Sequence, residues 1–300
     1  NEPVYFDLQK DEQHLLIGGS TGSGKSVLLK TLLTDMVLTN SPQELRLILV
    51  DPKKGSEMRV FGRLPHVIGL ADLLEQDQLT ALAMRGRSVS SSLSSSASKV
   101  LMEKQDCVTA LRALVNMIEF RNKEIDQLNQ LLEQQGSTDA VTKIDDYNAH
   151  ALKFGKKRMP HVFFVFDEFA FWAQDKDFCV GLNCIEKIAA IGRSAGIHLI
   201  LLTQRPDRKL IDGTLHNNLG SRICLKMRSG VDSKVLLEDK NYNAHNLQGK
   251  GHMICNLNSV GGNNYCYAQA GYINTTGDCS LGSLITAIAN DWNSLINKKK

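Results

Sequence analysis

The stretch GGSTGSGKS, residues 18–26, decides the fold. It follows the apolar run Leu15–Ile17 and contains the pattern Gly-x-x-x-x-Gly-Lys-Ser. Glycines let the backbone curl so that successive N–H groups point at phosphate oxygens, and a helix that begins there directs its positive dipole end toward the same anion. The stretch therefore predicts a phosphate-binding loop between a strand and a helix.

The loop also predicts the ligands ATP and Mg²⁺. Lys25 is expected to neutralise the β- and γ-phosphates, and the hydroxyl of Ser26 is expected to bind the metal. The nucleotide-binding residues predicted from the loop and the start of the helix are Gly19, Ser20, Thr21, Gly22, Ser23, Gly24, Lys25, Ser26 and Val27.

Two adjacent acids follow a second apolar run, Val162–Phe166. A magnesium-bound triphosphate needs a second protein ligand for the metal, and Asp167 is the candidate. Glu168 is the candidate catalytic base that orients and deprotonates the attacking water. A helix cap is the alternative for such a pair, but the phosphate loop elsewhere in the chain favours the catalytic interpretation.

Apolar runs alternate with longer helical patterns along most of the chain, which is typical of βαβ units around a parallel sheet. The fold class predicted is therefore α/β, with a mainly parallel central sheet flanked by helices. A later pair of runs, 251–256 and 265–271, predicts a hairpin. Apolar residues at three- and four-residue steps predict a long helix over 106–135, packed on its own domain or facing a partner. The predicted parallel strands are Leu15–Ile17, Leu45–Val50, Val162–Phe166, His198–Leu202 and Arg222–Lys226.

Two further residues are candidates for catalysis. Gln204 follows the predicted strand His198–Leu202, which is expected to lie between the loop strand and the acid strand, so that Gln204 senses the γ-phosphate. A strand-end amide bonded to backbone is the alternative. Arg193 comes just before the same strand, where it can stabilise transition-state charge on a neighbour's nucleotide. On spacing alone, a cation at a helix C-terminus is the simpler interpretation of Arg193.

Composition limits the remaining possibilities. The 300 residues fit one large α/β domain or two small ones, and a net charge of +3 is too small to demand a polyanionic partner without local basic patches. The seven cysteines lack metal-ligand spacing and are interpreted as reduced thiols. No apolar run is long enough to span a bilayer. Residues 88–98, SVSSSLSSSAS, are typical of a flexible linker.

As a set, these motifs resemble the FtsK/SpoIIIE family of ring-forming motors. The phosphate loop alone is shared by many families, whereas the residues of the motifs and their order along the chain are together specific for this family. The matching stretches are His14–Val27, LRLILVDPK (45–53), Leu64–His66, MPHVFFVFDEFA (159–170), IGRSAGIHLILLTQRP (191–206) and SRICLKMRSGVDSKVL (221–236).

The resemblance implies a RecA-like P-loop NTPase that forms a hexameric ring and hydrolyses ATP between subunits, with Arg193 acting in trans. It implies that Arg205 and its neighbour Arg208 face DNA in the pore. A family lysine that contacts DNA has no counterpart here, and Arg228 is the nearest basic residue. Residues 1–300 are expected to form one domain, with an insertion or linker at 71–105 and a hairpin plus helix at 251–300.

Three functions remain open from the sequence. The first is an ATP-driven translocase of double-stranded DNA, in chromosome segregation or in conjugative and mobile-element transfer. The second is a related ATPase of type VII secretion, which would recognise and export protein substrates. The third is a nucleotide-switched scaffold, disfavoured by Glu168 and Gln204. In each case we expect a cytoplasmic domain, which the full-length protein anchors at the inner face of the cell membrane.

Overall fold

The computed structural model describes residues 4–10, 13–55, 58–76, 98–207, 211, 213–239, 242–260, 265–274, 276–277 and 280–298. These residues contain one seven-stranded sheet with the order β2-β3-β4-β1-β5-β6-β7. The first five strands in this order are parallel, whereas β6 and β7 are antiparallel to their neighbours. The strands are β1 (His14–Gly18), β2 (Leu45–Val50), β3 (His161–Phe166), β4 (Ile197–Thr203), β5 (Ser221–Leu225), β6 (His252–Asn256) and β7 (Tyr265–Gln269).

The observed strands confirm the predicted ones, with ends that differ by at most two residues. Each parallel strand has apolar residues in succession because helices cover both faces of the sheet, so residues that point either way are buried. In β3, for example, all six residues are buried. The predicted α/β fold with a mainly parallel sheet is therefore confirmed.

Helices form a layer on each face of the sheet. Helices α3, α6 and α8 pack against one face, and helices α1 and α9 pack against the other. Alternate residues of β1 show the division, because Leu16 belongs to the first core and Leu15 and Ile17 belong to the second. The helices are α1 (Lys25–Thr39), α2 (70–76, as far as it is described), α3 (Lys104–Gln134), α4 (Ile144–Ala151), α5 (Ala170–Ala173), α6 (Cys179–Ile191), α7 (Gly213–Asn218), α8 (Gly230–Leu237) and α9 (Leu281–Lys298).

The long helix α3 packs on its own domain, as one of the two interpretations predicted. Leu111 and Ile118 are fully buried in the core that α3 shares with the sheet. Arg121 is also buried, and it donates to the backbone oxygen of Ala195 at 2.7 Å. Burial lowers the pKa of Arg121 to about 10. The hydrogen bond ties the middle of α3 to the turn that precedes β4.

The segment predicted as an insertion is only partly described. The serine tract 88–98 lies outside the described residues except for Ser98. Beyond it, Leu101 forms a parallel bridge with Val50, and its backbone exchanges 2.8 Å hydrogen bonds with Leu49 and Asp51. These bonds cover part of the edge of β2, which would otherwise present unpaired backbone groups.

Three buried histidines lie at the amino ends of β1, β3 and β4. The Nδ1 atom of His161 lies 2.9 Å from the Nε2 atom of His198. The Nδ1 atom of His198 lies 2.9 Å from the Gln13 carbonyl oxygen. Burial lowers the pKa of His14 to about 4 and lowers the pKa of His198 well below its usual value. The folded protein therefore holds these side chains neutral near pH 7.

We expect the thermal unfolding midpoint to fall by about 5 °C or more between pH 7.5 and pH 5. A histidine with a depressed folded pKa contributes stability above the unfolded value of about 6.5, and that stability is lost as pH falls toward about 4. For His14 alone the loss at pH 5 is about 2 kcal/mol. Calorimetric scans of the wild type and of His14→Asn measure the effect, and the variant should show the shallower pH dependence. Equal midpoints for the wild type at both pH values would contradict this account.

Candidate nucleotide-binding site

The phosphate loop joins the end of β1 to the start of α1. Gly22 and Gly24 have positive φ values of 78° and 102°, which glycine adopts without strain. A Cβ atom added to Gly24 would lie 2.4 Å from the backbone nitrogen of Gly251. Only glycine therefore fits at position 24, where the phosphate loop lies directly against the backbone of Gly251.

The loop is fastened to the two strands that flank β1. The Gly19 N–H donates to the Thr203 carbonyl oxygen at the end of β4, at 3.1 Å. The Ser20 N–H donates to the Lys226 carbonyl oxygen just after β5, at 2.9 Å. The curl is thus fixed from both sides before any ligand binds, which lowers the entropy lost on binding.

Lys25 and Asp167 meet at the carboxyl edge of the sheet. The Lys25 Nζ atom lies 2.6 Å from Asp167 Oδ1, and the lysine is buried. The two residues come together because β1 and β3 are parallel and separated only by β4, so their carboxyl ends share one edge. A magnesium triphosphate fits here, because a Cβ atom added to Gly22 would meet nothing within 4 Å, so the loop is open at that point, and Ser26 and Asp167 would supply the oxygen ligands that Mg²⁺ prefers.

Glu168 lies next to this pair in a conformation fixed by three donors. Its φ of 62° is in the left-handed region, at a backbone cost of about 1–2 kcal/mol. The carboxylate accepts from the Gln204 N–H at 2.9 Å, from the Thr203 hydroxyl at 3.2 Å and from Lys53 Nζ at 3.2 Å. The donors compensate for the strain and set the direction of the carboxylate.

Sequence reasoning missed Thr203 and Lys53 as partners of Glu168. The two strands that flank β3 position these residues. Thr203 is the last residue of β4, and Lys53 lies three residues beyond the end of β2. A lysine within three residues of the end of β2 was the available signal. It could be interpreted only once the strand order was known.

Gln204 contacts the phosphate loop. The Thr21 hydroxyl lies 3.3 Å from Gln204 Oε1, and both residues line the cavity at the loop. The predicted position of β4, between β1 and β3, is confirmed. The sensor role of Gln204 stays a prediction.

The carboxyl-terminal part of the chain supplies a wall that sequence analysis did not anticipate. The Gly251 N–H donates to the Ser23 carbonyl oxygen at 2.8 Å, and the Ala270 N–H donates to the Gly251 carbonyl oxygen at 2.9 Å. Together with the phosphate loop, these segments enclose a cavity of about 450 Å³. The glycines around Lys250, just before β6, were the only local signal.

Arg193 lies at the opposite end of the sheet from the phosphate loop. It follows α6 and precedes the amino end of β4, where it is exposed and lines a cavity with His14 and Ser221. The structure therefore does not bring Arg193 together with Lys25 or Glu168 of the same chain.

The candidate DNA-contacting residues lie at the same edge as the phosphate loop. Arg205 follows β4, Arg228 follows β5, and both side chains are exposed. The Arg205 N–H donates to the Thr203 hydroxyl at 3.1 Å, which links it to the partner of Glu168. Arg208 lies outside the described residues.

None of the helices in the described ranges combines the length and apolar character that a bilayer span requires. Among the described cysteines, which leave out Cys279, Cys107, Cys224 and Cys255 are buried, whereas Cys184 and Cys266 are half-buried and Cys179 is exposed.

Comparison with known proteins identifies the relatives of the chain. The family model described as "FtsK/SpoIIIE family" matches residues 1–85. The chain is 30% identical over 260 residues to a DNA translocase FtsK of Chlamydia pneumoniae, covering 87% of this chain and 28% of the relative. It is 31% identical over 255 residues to the DNA translocase FtsK of Borreliella burgdorferi, covering 84% of this chain and 27% of the relative. The chain thus spans less than a third of the length of these relatives.

Two solved structures share the fold. The conjugation coupling protein TcpA of pCW3, solved in a monomer form with ATPγS, has a TM-score of 0.65 and 24% identity, covering 97% of this chain and 66% of that chain. The cytoplasmic domain of the type VII secretion ATPase EccC of Thermomonospora curvata has a TM-score of 0.63 and 24% identity, covering 92% of this chain and 28% of that chain. The two structures show the fold alone. The match to the family model and the identity to the FtsK relatives, taken with the phosphate loop and the acids that meet it, show that the chain is an ATPase domain of the FtsK/SpoIIIE family.

Proposed function

We propose that this chain hydrolyses ATP to move double-stranded DNA, in a process such as chromosome segregation or conjugative transfer. The observation that carries the proposal is the 2.6 Å contact between Lys25 and Asp167, with Glu168 beside it. DNA is favoured as the polymer because the relatives reported above that match in sequence are named DNA translocase FtsK. The exposed Arg205 and Arg228 at the same edge suit phosphate-directed contacts, which tolerate any sequence.

The residues at the edge of the sheet divide the chemistry among them. Lys25 binds the β- and γ-phosphates, and Asp167 and Ser26 would hold Mg²⁺, which would neutralise charge on the phosphate oxygens when bound. Glu168 accepts a proton from the water that attacks the γ-phosphorus as the bond to ADP breaks. Gln204, next to Thr21 in the phosphate loop, is placed to respond to the presence of the γ-phosphate.

A ring of subunits completes the site. Because Arg193 lies at the far end of its own sheet, it can reach a nucleotide only on a neighbouring copy. We propose a homohexamer in which each Arg193 acts on the next subunit. Residues 1–300 act as one domain of a longer protein, which anchors it on the cytoplasmic side of the membrane.

The test is steady-state ATP hydrolysis with and without duplex DNA, at 50 mM and 200 mM salt. We expect DNA to stimulate turnover and the half-maximal DNA concentration to rise about 10-fold or more at the higher salt, because phosphate contacts release counterions. Arg205→Ala should weaken DNA binding. It should also reduce the slope of log affinity against log salt concentration by about 1, the value expected for one lost phosphate contact. Arg158→Ala, which removes an exposed arginine next to the amino end of β3, is the matched control.

Two outcomes would contradict the proposal. Turnover that duplex DNA leaves unchanged, with no DNA binding at low salt, removes the polymer assigned here. Stimulation by a secreted protein and not by DNA would instead identify an export ATPase.

A further inference from the structure

One wall of the nucleotide cavity carries an exposed aromatic ring. Tyr272 is 75% exposed, and it lines the cavity together with the phosphate loop, Val27 and Ala270. Among the described residues that line this cavity, no other is aromatic. A tyrosine ring with this exposure keeps an apolar face in water, at a cost that a planar ligand would remove.

The segment before Tyr272 runs beside α1, away from the phosphate end. The Thr31 hydroxyl lies 3.0 Å from the Val27 carbonyl oxygen and 3.2 Å from that of Gly271. Thr31 is six residues beyond Lys25, which corresponds to about 9 Å along the helix axis. Phosphates bound at the amino end of α1 therefore leave the rest of a nucleotide to extend toward this segment.

Hydrogen bonds to the phosphate loop and to the residues before β6 fix the position of the segment that precedes Tyr272. The Ala270 N–H donates to Gly251, which itself donates to Ser23 in the phosphate loop. The Gln269 side-chain amide donates to the Lys250 carbonyl oxygen at 2.8 Å. A Cβ atom on Gly251 would lie 2.9 Å from that amide nitrogen, so the Gln269 side chain packs directly on the backbone of Gly251.

From this geometry we infer that Tyr272 stacks on the nucleobase of the bound nucleoside triphosphate. The inference rests on the proposed nucleotide binding and adds the residue that holds the base. The rest of this wall offers Val27 and Ala270, which are apolar, and the Gln269 amide, which is engaged by Lys250. Stacking on an aromatic face accepts any base, because every base has a π-face. The site therefore gains affinity from the base while distinguishing poorly between adenine and guanine.

The test compares three ligands by calorimetry on the full chain: ATP, GTP and inorganic tripolyphosphate. Tyr272→Ala should weaken ATP and GTP by about 10-fold each, because a stacked base contributes that much on an aromatic ring. It should leave tripolyphosphate unchanged, because that ligand has no base. Tyr272→Phe should restore both nucleotides, since the ring is kept. Tyr5→Ala, which removes a tyrosine of similar exposure at a different cavity, should change none of the three.

The outcomes separate this inference from the proposed function. If the wild type binds ATP and Tyr272→Ala binds it equally well, stacking is refuted while nucleotide binding stands. If tripolyphosphate weakens as much as ATP does in Tyr272→Ala, the tyrosine shapes the phosphate loop and the inference is again refuted. If Lys25→Ala binds all three ligands like the wild type, the proposed phosphate site itself fails, and the inference fails with it.

Discussion

Arg193→Ala is expected to bind ATP with wild-type affinity and to hydrolyse it about 10³-fold or more slowly. Arg193 lies at the end of the sheet opposite the phosphate loop, so its loss leaves the nucleotide contacts of its own chain intact. An arginine supplied from a neighbour stabilises charge that develops only in the transition state, and the rate therefore falls without a change in binding. Single-turnover hydrolysis and nucleotide calorimetry, measured on assembled protein, separate the two effects.

Mixed assemblies decide whether the arginine acts across subunits. Arg193→Ala subunits retain a complete phosphate loop, and Lys25→Ala subunits retain the arginine. When the two inactive proteins are mixed, interfaces that join one of each should hydrolyse ATP at a readily measured rate. Arg158→Ala is the charge-matched control, since it also removes an exposed arginine next to the amino end of a strand. An absence of recovery in mixtures shown to co-assemble would rule out action in trans.

Glu168→Gln is expected to bind ATP and to slow its hydrolysis by about 10²–10⁴-fold. The amide has the shape of the carboxylate, and its oxygen can still accept from Thr203 and from the Gln204 N–H. The amide nitrogen then faces Lys53, whose partly exposed side chain is able to move away. The fold and the binding of nucleotide are thus preserved, while the group that takes the proton from water is lost.

The measurement is a rapid-mix assay that reports bound ATP and released phosphate separately. In Glu168→Gln, ATP should remain on the protein without conversion to ADP. Glu133→Gln makes the same chemical change at an exposed position near the end of α3 and should turn over normally. Wild-type turnover by Glu168→Gln would mean that another group serves as the base.

The sheet was predictable because its signals are local. Parallel strands buried on both faces read as short apolar runs, and the strand at Leu45–Val50 was predicted with both ends correct. The phosphate loop between β1 and α1 was predictable because its glycine pattern is also a local signal. By contrast, the sequence did not show whether the long helix packs on its own domain or faces a partner. The buried face of α3 and the Arg121 hydrogen bond show that it packs on its own domain.

The nucleotide site was only partly predictable. Lys25 and Asp167 are far apart in sequence, yet both were assigned to one site, because phosphate loops require an acidic partner at the carboxyl edge of a nearby strand. The structure brings the two side chains together, whereas their roles toward phosphate and metal stay predictions. Lys53 and the wall at Gly251 and Tyr272 were missed, since their place beside the loop depends on strand order and on how the β6–β7 pair folds back. The role of Arg193 remains a prediction that Arg193→Ala and the mixed assemblies test, and the sensor role of Gln204 also remains a prediction.

The contact between Gly24 and Gly251 has a consequence for how the protein acquires its activity. It joins two segments that are far apart in sequence, and closing so large a loop is slow because the entropy must be lost before the contact forms. During synthesis, the phosphate loop emerges early but lacks its brace until the β6–β7 pair has left the ribosome. Competence to bind nucleotide is therefore expected as one of the last events of folding, so that nascent, incomplete chains do not capture ATP.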